Sequence, residues 1–335
     1  MKVLLVGGTG VISTAVSAEA ISRGMELWVL NRGLHASRLA AGANSLVADY
    51  ENEAQVKEVL ADHVFDTVVD FRTFTVAQIE KAIRVFTGHT KQYIFISSGT
   101  VYKKPLEHYL ITEDAPLGNI HSAYARNKLA CEWTLRRAID KGFPGVIVRP
   151  SLTYSDFNLL TAMNSRKDPY TLVHRMRKNK PVVVHGDGTS LWTLTWNEDF
   201  AKAFIGLLGN PHAIGEAFQI TSDESVTWNQ IHQCVADALG VEFKPYYVAS
   251  DLLDALSHYD FKGGLIGDKA NSVVFDNTKV KNAVPGFVCT TRMETGIRKT
   301  VEYMLAHPET QVEDPEFDAW CDKVIAKLEQ LQEEF

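Results

Sequence analysis

The sequence has few cysteines, no long apolar run and no excess of basic charge. Its four cysteines are widely scattered with no CxxC pair, which predicts reduced thiols in a reducing compartment and no metal site. No apolar stretch approaches the ~18 residues of a membrane span or forms a signal-peptide core, so we expect a cytoplasmic protein without a membrane partner. Lys and Arg total 34 against 41 Asp and Glu, so the formal net charge is −7 and a nucleic-acid partner is not expected.

The sequence does contain ample material for a core, since 45% of its 335 residues are hydrophobic and 22% are charged. At ~100–200 residues per domain, this length predicts two domains, or one large α/β domain with a smaller lobe. In the first half, short apolar runs alternate with helix-like stretches, which is the pattern of βαβ units in a parallel sheet. The predicted strands are 2–6, 26–30, 45–48, 65–70, 92–97 and 145–149, and the predicted helices are 11–23, 54–61, 75–86 and 122–141.

After Pro150 this alternation ends, and prolines separate shorter elements. We therefore predict a first domain of residues 1–155, with returning segments near 182–210 and 216–222. Residues 156–335 are expected to form mainly a smaller, discontinuous α+β lobe and C-terminal helices. Helices are predicted here at 170–178, 198–208, 227–239, 291–306 and 314–335.

A glycine cluster follows the first predicted strand and opens a helix. Gly7 and Gly10 let the backbone turn sharply and approach a pyrophosphate, and Val11 and Ile12 begin the helix whose free N–H groups would face it. Ser13 stands where the usual pattern has its last glycine, and its small side chain still permits close packing. The strand, loop and helix together predict a dinucleotide site.

The end of the second strand bears on the form of the cofactor. Asn31 and Arg32 stand where NAD-specific enzymes usually carry an acidic residue for the adenine ribose. The planar fork of Arg32 could bind a 2′-phosphate, which favours NADP over NAD. The alternative is an arginine that stacks on adenine or is simply solvated.

Two later strand ends supply further candidates. Asp49 and Tyr50 follow the third strand and are candidates for the adenine edge. Phe71 lies in the segment Asp70-Phe71-Arg72, which ends the fourth strand beside the expected cofactor path. For each of these residues, the alternative is a position in a loop without a role in cofactor binding.

Three residues form a candidate catalytic group. Ser98 directly follows the fifth strand, at the carboxyl end where parallel sheets bind ligands. Tyr124 and Lys128 are four residues apart on a predicted helix and therefore share one face. An ammonium near a phenol lowers the pKa of the phenol from about 10, so Tyr124 could exchange a proton with a substrate hydroxyl while Ser98 holds the same oxygen.

With these motifs in place, the sequence resembles the short-chain dehydrogenase/reductase superfamily, in particular its extended branch of nucleotide-sugar epimerases and dehydratases. The resemblance implies a Rossmann domain with a doubly wound parallel sheet, a C-terminal substrate lobe and a Ser98, Tyr124, Lys128 triad. It also implies that Lys128 binds the nicotinamide ribose, that Ser151 approaches the nicotinamide, and that a homodimer is to be expected. The motifs that carry it are 7–13, 97–102, 124–128, Arg149-Pro150, 185–188 and 275–279.

The sequence also departs from that branch. Gly99 and Thr100 follow Ser98, where dehydratases carry an acidic pair, so dehydration is not expected. Leu191-Trp192-Thr193 stands where an arginine often holds a substrate diphosphate, and Tyr154-Ser155-Asp156 replaces an expected Tyr-Gly-Pro. A basic group in the lobe is either a diphosphate or carboxylate site or a solvated helix; it comprises Arg166, Lys167, His174, Arg175, Arg177, Lys178 and Lys180.

The sequence thus predicts an NAD(P)-dependent enzyme that acts on a secondary alcohol or ketone of a small-molecule substrate. Epimerisation of a sugar or sugar nucleotide is favoured, because it needs no net oxidant. A net NADP-dependent reductase of a smaller, non-nucleotide substrate is the alternative, supported by Arg32 and the missing arginine. A third hypothesis is an atypical, non-catalytic relative that binds RNA or regulates, against which the acidic charge counts.

Overall fold

A seven-stranded parallel sheet forms the centre of the protein, as seen in a computed structural model that describes residues 1–33, 39–159, 161–163 and 170–334. The strands in chain order are β1 (Lys2–Val6), β2 (Glu26–Asn31), β3 (Asn44–Val47), β4 (Thr67–Asp70), β5 (Tyr93–Ile96), β6 (Leu110–Ile111), β7 (Gly145–Pro150), β8 (Leu152–Tyr154), β9 (Val182–His185), β10 (Leu191–Trp192), β11 (Leu194–Trp196), β12 (Ala217–Ile220), β13 (Val226–Thr227), β14 (Pro245–Val248) and β15 (Val274–Phe275). The α-helices are α1 (Val11–Ser22), α2 (Glu53–Leu60), α3 (Val76–Phe86), α4 (Ala123–Ile139), α5 (Tyr170–Arg177), α6 (Asn197–Leu207), α7 (Trp228–Leu239), α8 (Ser250–Ala255), α9 (Thr278–Ala283), α10 (Met293–Ala306) and α11 (Pro315–Gln332).

The strand order in the sheet is β12-β7-β5-β4-β1-β2-β3. From β1 the chain first builds outward through β2 and β3, and then returns to β4 on the other side of β1. The order therefore reverses between β1 and β4, and such a switch point opens a crevice at the carboxyl ends of the strands. This Rossmann-like α/β architecture confirms the predicted fold class.

Both faces of the sheet are covered because its strands are apolar on both sides. On one face, Val3 and Leu5 pack with α1 and with Phe200 and Phe204 of α6. On the other face, residues of β1, β4 and β5 pack with α2, α3 and α4. Strands buried in this way read as continuous apolar runs, which is why the sequence predicts them well.

Helix starts also follow local sequence signals. Thr75 accepts a hydrogen bond from the Gln78 N–H, and the Gln78 side chain accepts one from the Thr75 N–H, so α3 begins with a capping box. Thr227 and Gln230 form the same arrangement at α7. These bonds satisfy N–H groups that have no partner within the helix.

The second half of the chain, together with β6 and β8 from the first half, forms a lobe of short paired strands and helices. The pairs are β8 with β11, β10 with β13, β9 with β14, and β6 with β15. Its core includes Trp192, Trp196 and Trp228, together with side chains of α7 and α10. A separate cluster packs α11 against β9 and β14.

Parts of this half return to the sheet. α6 packs against α1 through a shared cluster, and β12 pairs with β7 at the edge of the sheet. The domain limits at 155 and 156 stay a prediction.

Candidate active site

The glycine loop after β1 is held tightly against its neighbours. Gly7 has a φ of +83°, and a Cβ there would lie 2.9 Å from Cγ of Arg72. A Cβ on Gly8 would lie 2.6 Å from Cγ1 of Val29, so no side chain fits without a shift. The loop therefore brings bare backbone to the crevice, as a close approach to a ligand requires.

The N-terminus of α1 follows this loop directly. Gly10 is its N-cap, and the Gly10 N–H donates to the Ser13 hydroxyl at 2.9 Å. Ser13 is buried, so its hydroxyl packs inside the turn where the usual pattern has a glycine. Val11 and Ile12 line the cleft beyond it.

An outer cavity of about 210 Å³ lies at the ends of β2 and β3. Asn31 is fixed there because its side-chain oxygen accepts from the Gly33 N–H at 2.6 Å and its amide donates to Ser45 Oγ at 3.3 Å. Arg32 is exposed, and its guanidinium has no hydrogen bond or ion pair to the described part of the chain. The lining residues are Gly7, Gly8, Thr9, Leu30, Asn31, Arg32, Ala48, Asp49, Tyr50, Glu51 and Arg72.

Tyr50 forms part of the wall of this cavity, but its hydroxyl is already engaged in a hydrogen bond. Its hydroxyl donates to Asp70 at 2.5 Å, and Asp70 also accepts from the Tyr93 hydroxyl at 2.8 Å and the Thr73 hydroxyl at 2.8 Å. Burial and the Asp70 charge raise the pKa of Tyr50 well above its usual range. Of the predicted adenine-edge pair, Asp49 alone is exposed at the cavity.

A central cleft of about 670 Å³ adjoins the outer cavity and shares Gly7, Thr9 and Arg72 with it. All three candidate catalytic residues line this cleft. The lining residues are Gly7, Thr9, Gly10, Val11, Ile12, Ser13, Phe71, Arg72, Phe74, Ile96, Ser97, Ser98, Tyr124, Lys128, Pro150, Ser151, Leu152 and Thr153. Ser98 and Tyr124 are 26 positions apart in the sequence, and the fold brings them to the same cleft.

Ser98 and Tyr124 face each other in the cleft. Ser98 is buried, and its oxygen accepts from the Thr100 N–H at 3.2 Å and the Thr100 hydroxyl at 3.0 Å. The pKa of Tyr124 is raised, not lowered as its spacing from Lys128 predicts, because enclosure in the cleft and the negative charge of Asp268 outweigh the opposing hydrogen bond with Ser98. The Tyr124 side chain as a whole remains 45% exposed, so a ligand can reach it.

Lys128 lies beneath this pair. Its ammonium donates to the carbonyl oxygens of Thr73 at 2.7 Å and Ile96 at 2.8 Å, and lies 4.2 Å from the Phe74 ring centroid and 5.9 Å from that of Tyr124. Burial lowers the pKa of Lys128 to about 8, although Asp70 and other nearby acidic groups oppose this. The direct contacts of the ammonium are therefore carbonyl oxygens and an aromatic face, while the carboxylates act on it from a greater distance.

Two other predicted residues line the cleft in different ways. The Ser151 hydroxyl donates to the Thr193 carbonyl oxygen at 3.0 Å and lies 3.2 Å from Thr195 Oγ1. Phe71 packs its ring 6.4 Å from that of Phe204. Both residues are half-buried walls of the cleft.

Two members of the basic group of the lobe are paired with the C-terminal helix. Arg175 and Lys180 each form ion pairs with Asp318 and Asp322 of α11, at 2.6 to 2.9 Å. His174 lies 3.2 Å from Glu313. Arg166 and Lys167 lie outside the described residues.

Sequence reasoning missed one acidic residue near the cleft. Asp268 lines a side pocket of about 70 Å³ that also contains Ser98 and Trp192. It lies in a π-helical segment, Lys262–Lys269, that is anchored by the Asn119 amide donating to the Gly267 carbonyl oxygen at 2.5 Å. Nothing in the local sequence around Asp268 signals this contact, because it joins segments 148 residues apart.

Within the described ranges, no group of three or more His, Cys, Asp or Glu side chains could hold a metal ion. None of the helices in that part of the chain is long and apolar enough to cross a membrane.

Residues 3–221 match the model of the NAD dependent epimerase/dehydratase family. The chain is 27% identical over 254 residues to chloroplast stem-loop binding protein of 41 kDa b from Arabidopsis thaliana, covering 71% of this chain and 63% of that protein. It is 25% identical over 255 residues to 2'-dehydrokanamycin reductase from Streptomyces kanamyceticus, covering 75% and 70%.

Among solved structures, the fold is similar to that of UDP-glucose 4-epimerase from Bifidobacterium longum in complex with NAD+ and UDP. The TM-score is 0.74 and the identity 18%, over 92% of this chain and 100% of the other.

Proposed function

Because the chain belongs to the NAD-dependent epimerase/dehydratase family, we propose that it moves hydride between NAD(P) and a secondary alcohol or ketone of a sugar-like substrate. The observation that carries the proposal is that Ser98, Tyr124 and Lys128 line one cleft, which opens onto the glycine loop. Each of these residues alone is common; their convergence beside a phosphate-binding type of loop is not.

The residues around the crevice suit a dinucleotide. Gly7 and Gly8 leave no room for a Cβ, and the loop leads into the N-terminus of α1, whose free N–H groups attract phosphate. Asn31, Arg32 and Asp49 would hold the adenosine end. Phe71, Lys128 and Ser151 would hold the nicotinamide end. A nicotinamide cofactor held there would supply the hydride acceptor for the alcohol carbon or the hydride donor for the ketone carbon.

Transfer of the substrate proton is the step that the protein's own residues would carry out. The Tyr124 hydroxyl would take the proton of the substrate alcohol, or return it to the ketone oxygen, while the Ser98 hydroxyl holds that oxygen in place. Phenolate is needed for the first role; its formation is opposed by the enclosure that raises the pKa of Tyr124, and the Lys128 ammonium, 5.9 Å from the ring centroid, would stabilise its charge. Since burial lowers the pKa of Lys128 to about 8, this ammonium keeps most of its charge at neutral pH and loses it above pH 8.

Epimerisation of a sugar or sugar nucleotide is the leading form of this chemistry. It uses the same Tyr124 in both directions and needs no acidic pair after Ser98, which this chain lacks. The similarity in fold to a UDP-glucose 4-epimerase is in keeping with it.

A net NADP-dependent reduction of a smaller substrate is the second candidate. The observation that favours it is the ion pairing of Arg175 and Lys180 with α11, which removes these cations from a substrate diphosphate. The exposed Arg32, which has no ion pair within the described ranges, and the relative named 2'-dehydrokanamycin reductase support the same candidate.

The first test needs no substrate. Freshly purified protein is denatured, any released nucleotide is identified by chromatography, and intact protein is titrated with NAD(H) and NADP(H). Retained NAD(H) is expected for the epimerase, because the cofactor is regenerated in each turnover; reversible NADPH binding is expected for the reductase.

If neither dinucleotide binds, the proposal fails. A gel shift with structured RNA over a salt series would then test the RNA-binding hypothesis, because phosphate contacts make such binding strongly salt-dependent.

A further inference from the structure

Arg72 has a fixed position above the glycine loop. It follows β4, and its N–H donates to Asp70 Oδ1 at 2.7 Å. A Cβ on Gly7 would lie 2.9 Å from Cγ and 3.0 Å from Cδ of Arg72, so the aliphatic stem of the arginine covers that glycine. The loop and the stem are thus in contact across the crevice between β1 and β4.

The side chain also stands where the two openings meet. Gly7, Thr9 and Arg72 are the three residues that line both the outer cavity and the central cleft. A ligand that extends from one opening into the other must therefore pass alongside both the glycine loop and Arg72. In a dinucleotide, the part that joins the adenosine to the nicotinamide half is the diphosphate.

The guanidinium of Arg72 is available for such a ligand. It is exposed and makes no hydrogen bond or ion pair with the residues that the structure describes. The acidic side chains that share the outer cavity are engaged elsewhere. Glu51 accepts from the Gln78 amide at 2.8 Å and pairs with Lys81 at 3.3 Å, and Asp49 accepts from the Glu51 N–H at 3.1 Å.

We propose that Arg72 binds the cofactor diphosphate from the side opposite the N-terminus of α1, so that the phosphates lie between helix and guanidinium. This inference rests on the proposed function, since it assumes a dinucleotide in the crevice. The proposal gives the two arginines of the outer cavity different roles. Arg72 binds the diphosphate common to NAD and NADP, while Arg32, which does not line the central cleft, binds at the ribose end. A planar fork suits two phosphate oxygens at once.

Binding measurements with fragments of the cofactor test the assignment. Isothermal titration of ADP, AMP, adenosine, NAD+ and NADP+ is carried out on wild type, Arg72→Met and Arg72→Lys. Arg72→Met keeps an aliphatic stem over Gly7 and removes the charge. We expect it to weaken ADP, NAD+ and NADP+ by about 10–100-fold, as for loss of a charged hydrogen-bonded contact, with adenosine changed less than about twofold. Arg72→Lys should recover part of the loss.

The matched control is Arg23→Met, which removes an exposed arginine paired with Glu19 at the far end of α1. It should leave every affinity unchanged. Unchanged ADP binding by Arg72→Met would overturn the inference, as would an equal loss for adenosine, or a loss confined to NADP+. Failure of the wild type to bind ADP or either dinucleotide would instead overturn the proposed function.

Discussion

Glu132 of α4 and Arg149 of β7 form a completely buried, bidentate ion pair beside the end of β5. The guanidinium donates to the two carboxylate oxygens at 3.0 and 2.7 Å. The Ser97 hydroxyl donates to the same carboxylate at 2.5 Å. The residue directly before Ser98 is therefore tied to the helix that carries Tyr124 and Lys128, and this fixes the strand end relative to the helix.

Removing one charge of this pair should destabilise the protein strongly. Glu132→Gln keeps the size of the side chain but leaves the Arg149 guanidinium buried without a counterion. We expect the free energy of unfolding to fall by about 3–5 kcal/mol, measured by urea denaturation. The control is Glu53→Gln, which breaks the surface pairs with Arg84 and Lys57 and should change stability little. Equal effects of the two substitutions would contradict the structural role given to the buried pair.

Tyr124→Phe should separate chemistry from binding. The substitution removes the hydroxyl that exchanges the proton and keeps the ring near Phe74. Once a substrate is found, turnover should fall by about two to four orders of magnitude, while affinity for the dinucleotide stays within a few-fold of wild type. An unchanged rate would rule out Tyr124 as the general acid or base.

Arg32→Ala should report on the form of the cofactor. Arg32 is exposed at the rim of the outer cavity and is free to meet a 2′-phosphate. If it does, NADP+ affinity should fall about tenfold or more while NAD+ affinity changes little, as measured by titration calorimetry. An equal loss for both forms would mean that the arginine contacts the part they share.

The parts of this protein that the sequence predicts are those governed by neighbours in the chain. Strands such as β1 and β5 are marked by continuous apolar residues, and α3 is marked by the Thr75 capping box. The grouping of Ser98, Tyr124 and Lys128 follows from strand-end position and helical spacing.

Contacts between distant segments are not marked in this way. The Tyr50 hydroxyl donates to Asp70 because β4 lies beyond β1 in the sheet, 20 residues away in sequence. The carboxylates that pair with Arg175 come from α11, 143 residues later at Asp318. No periodicity or motif near either residue could reveal these partners, since both depend on how the chain returns in space.

Two buried histidines should make stability depend on pH. Burial lowers the pKa of His185 to about 4 and that of His232 to about 3, from an ordinary 6.5. Above pH 6.5 both are neutral in the folded and unfolded chain, so they add no pH dependence. As pH falls from 6.5 toward 4, the unfolded chain binds protons that the folded chain does not, and each histidine lowers the free energy of unfolding by up to about 1.4 kcal/mol per pH unit.

His232→Leu isolates one of these contributions. His232 is buried among the rings of Trp228 and Phe243, and its Nδ1 has no hydrogen-bond partner among the residues that the structure describes, so an apolar side chain suits the site. We expect the variant to lose less stability than wild type between pH 6.5 and 4.5, as followed by urea unfolding at several pH values. His212→Gln, at an exposed site, should match wild type at every pH. An identical pH slope in His232→Leu and wild type would mean that His232 is protonated as easily in the folded chain as in the unfolded one.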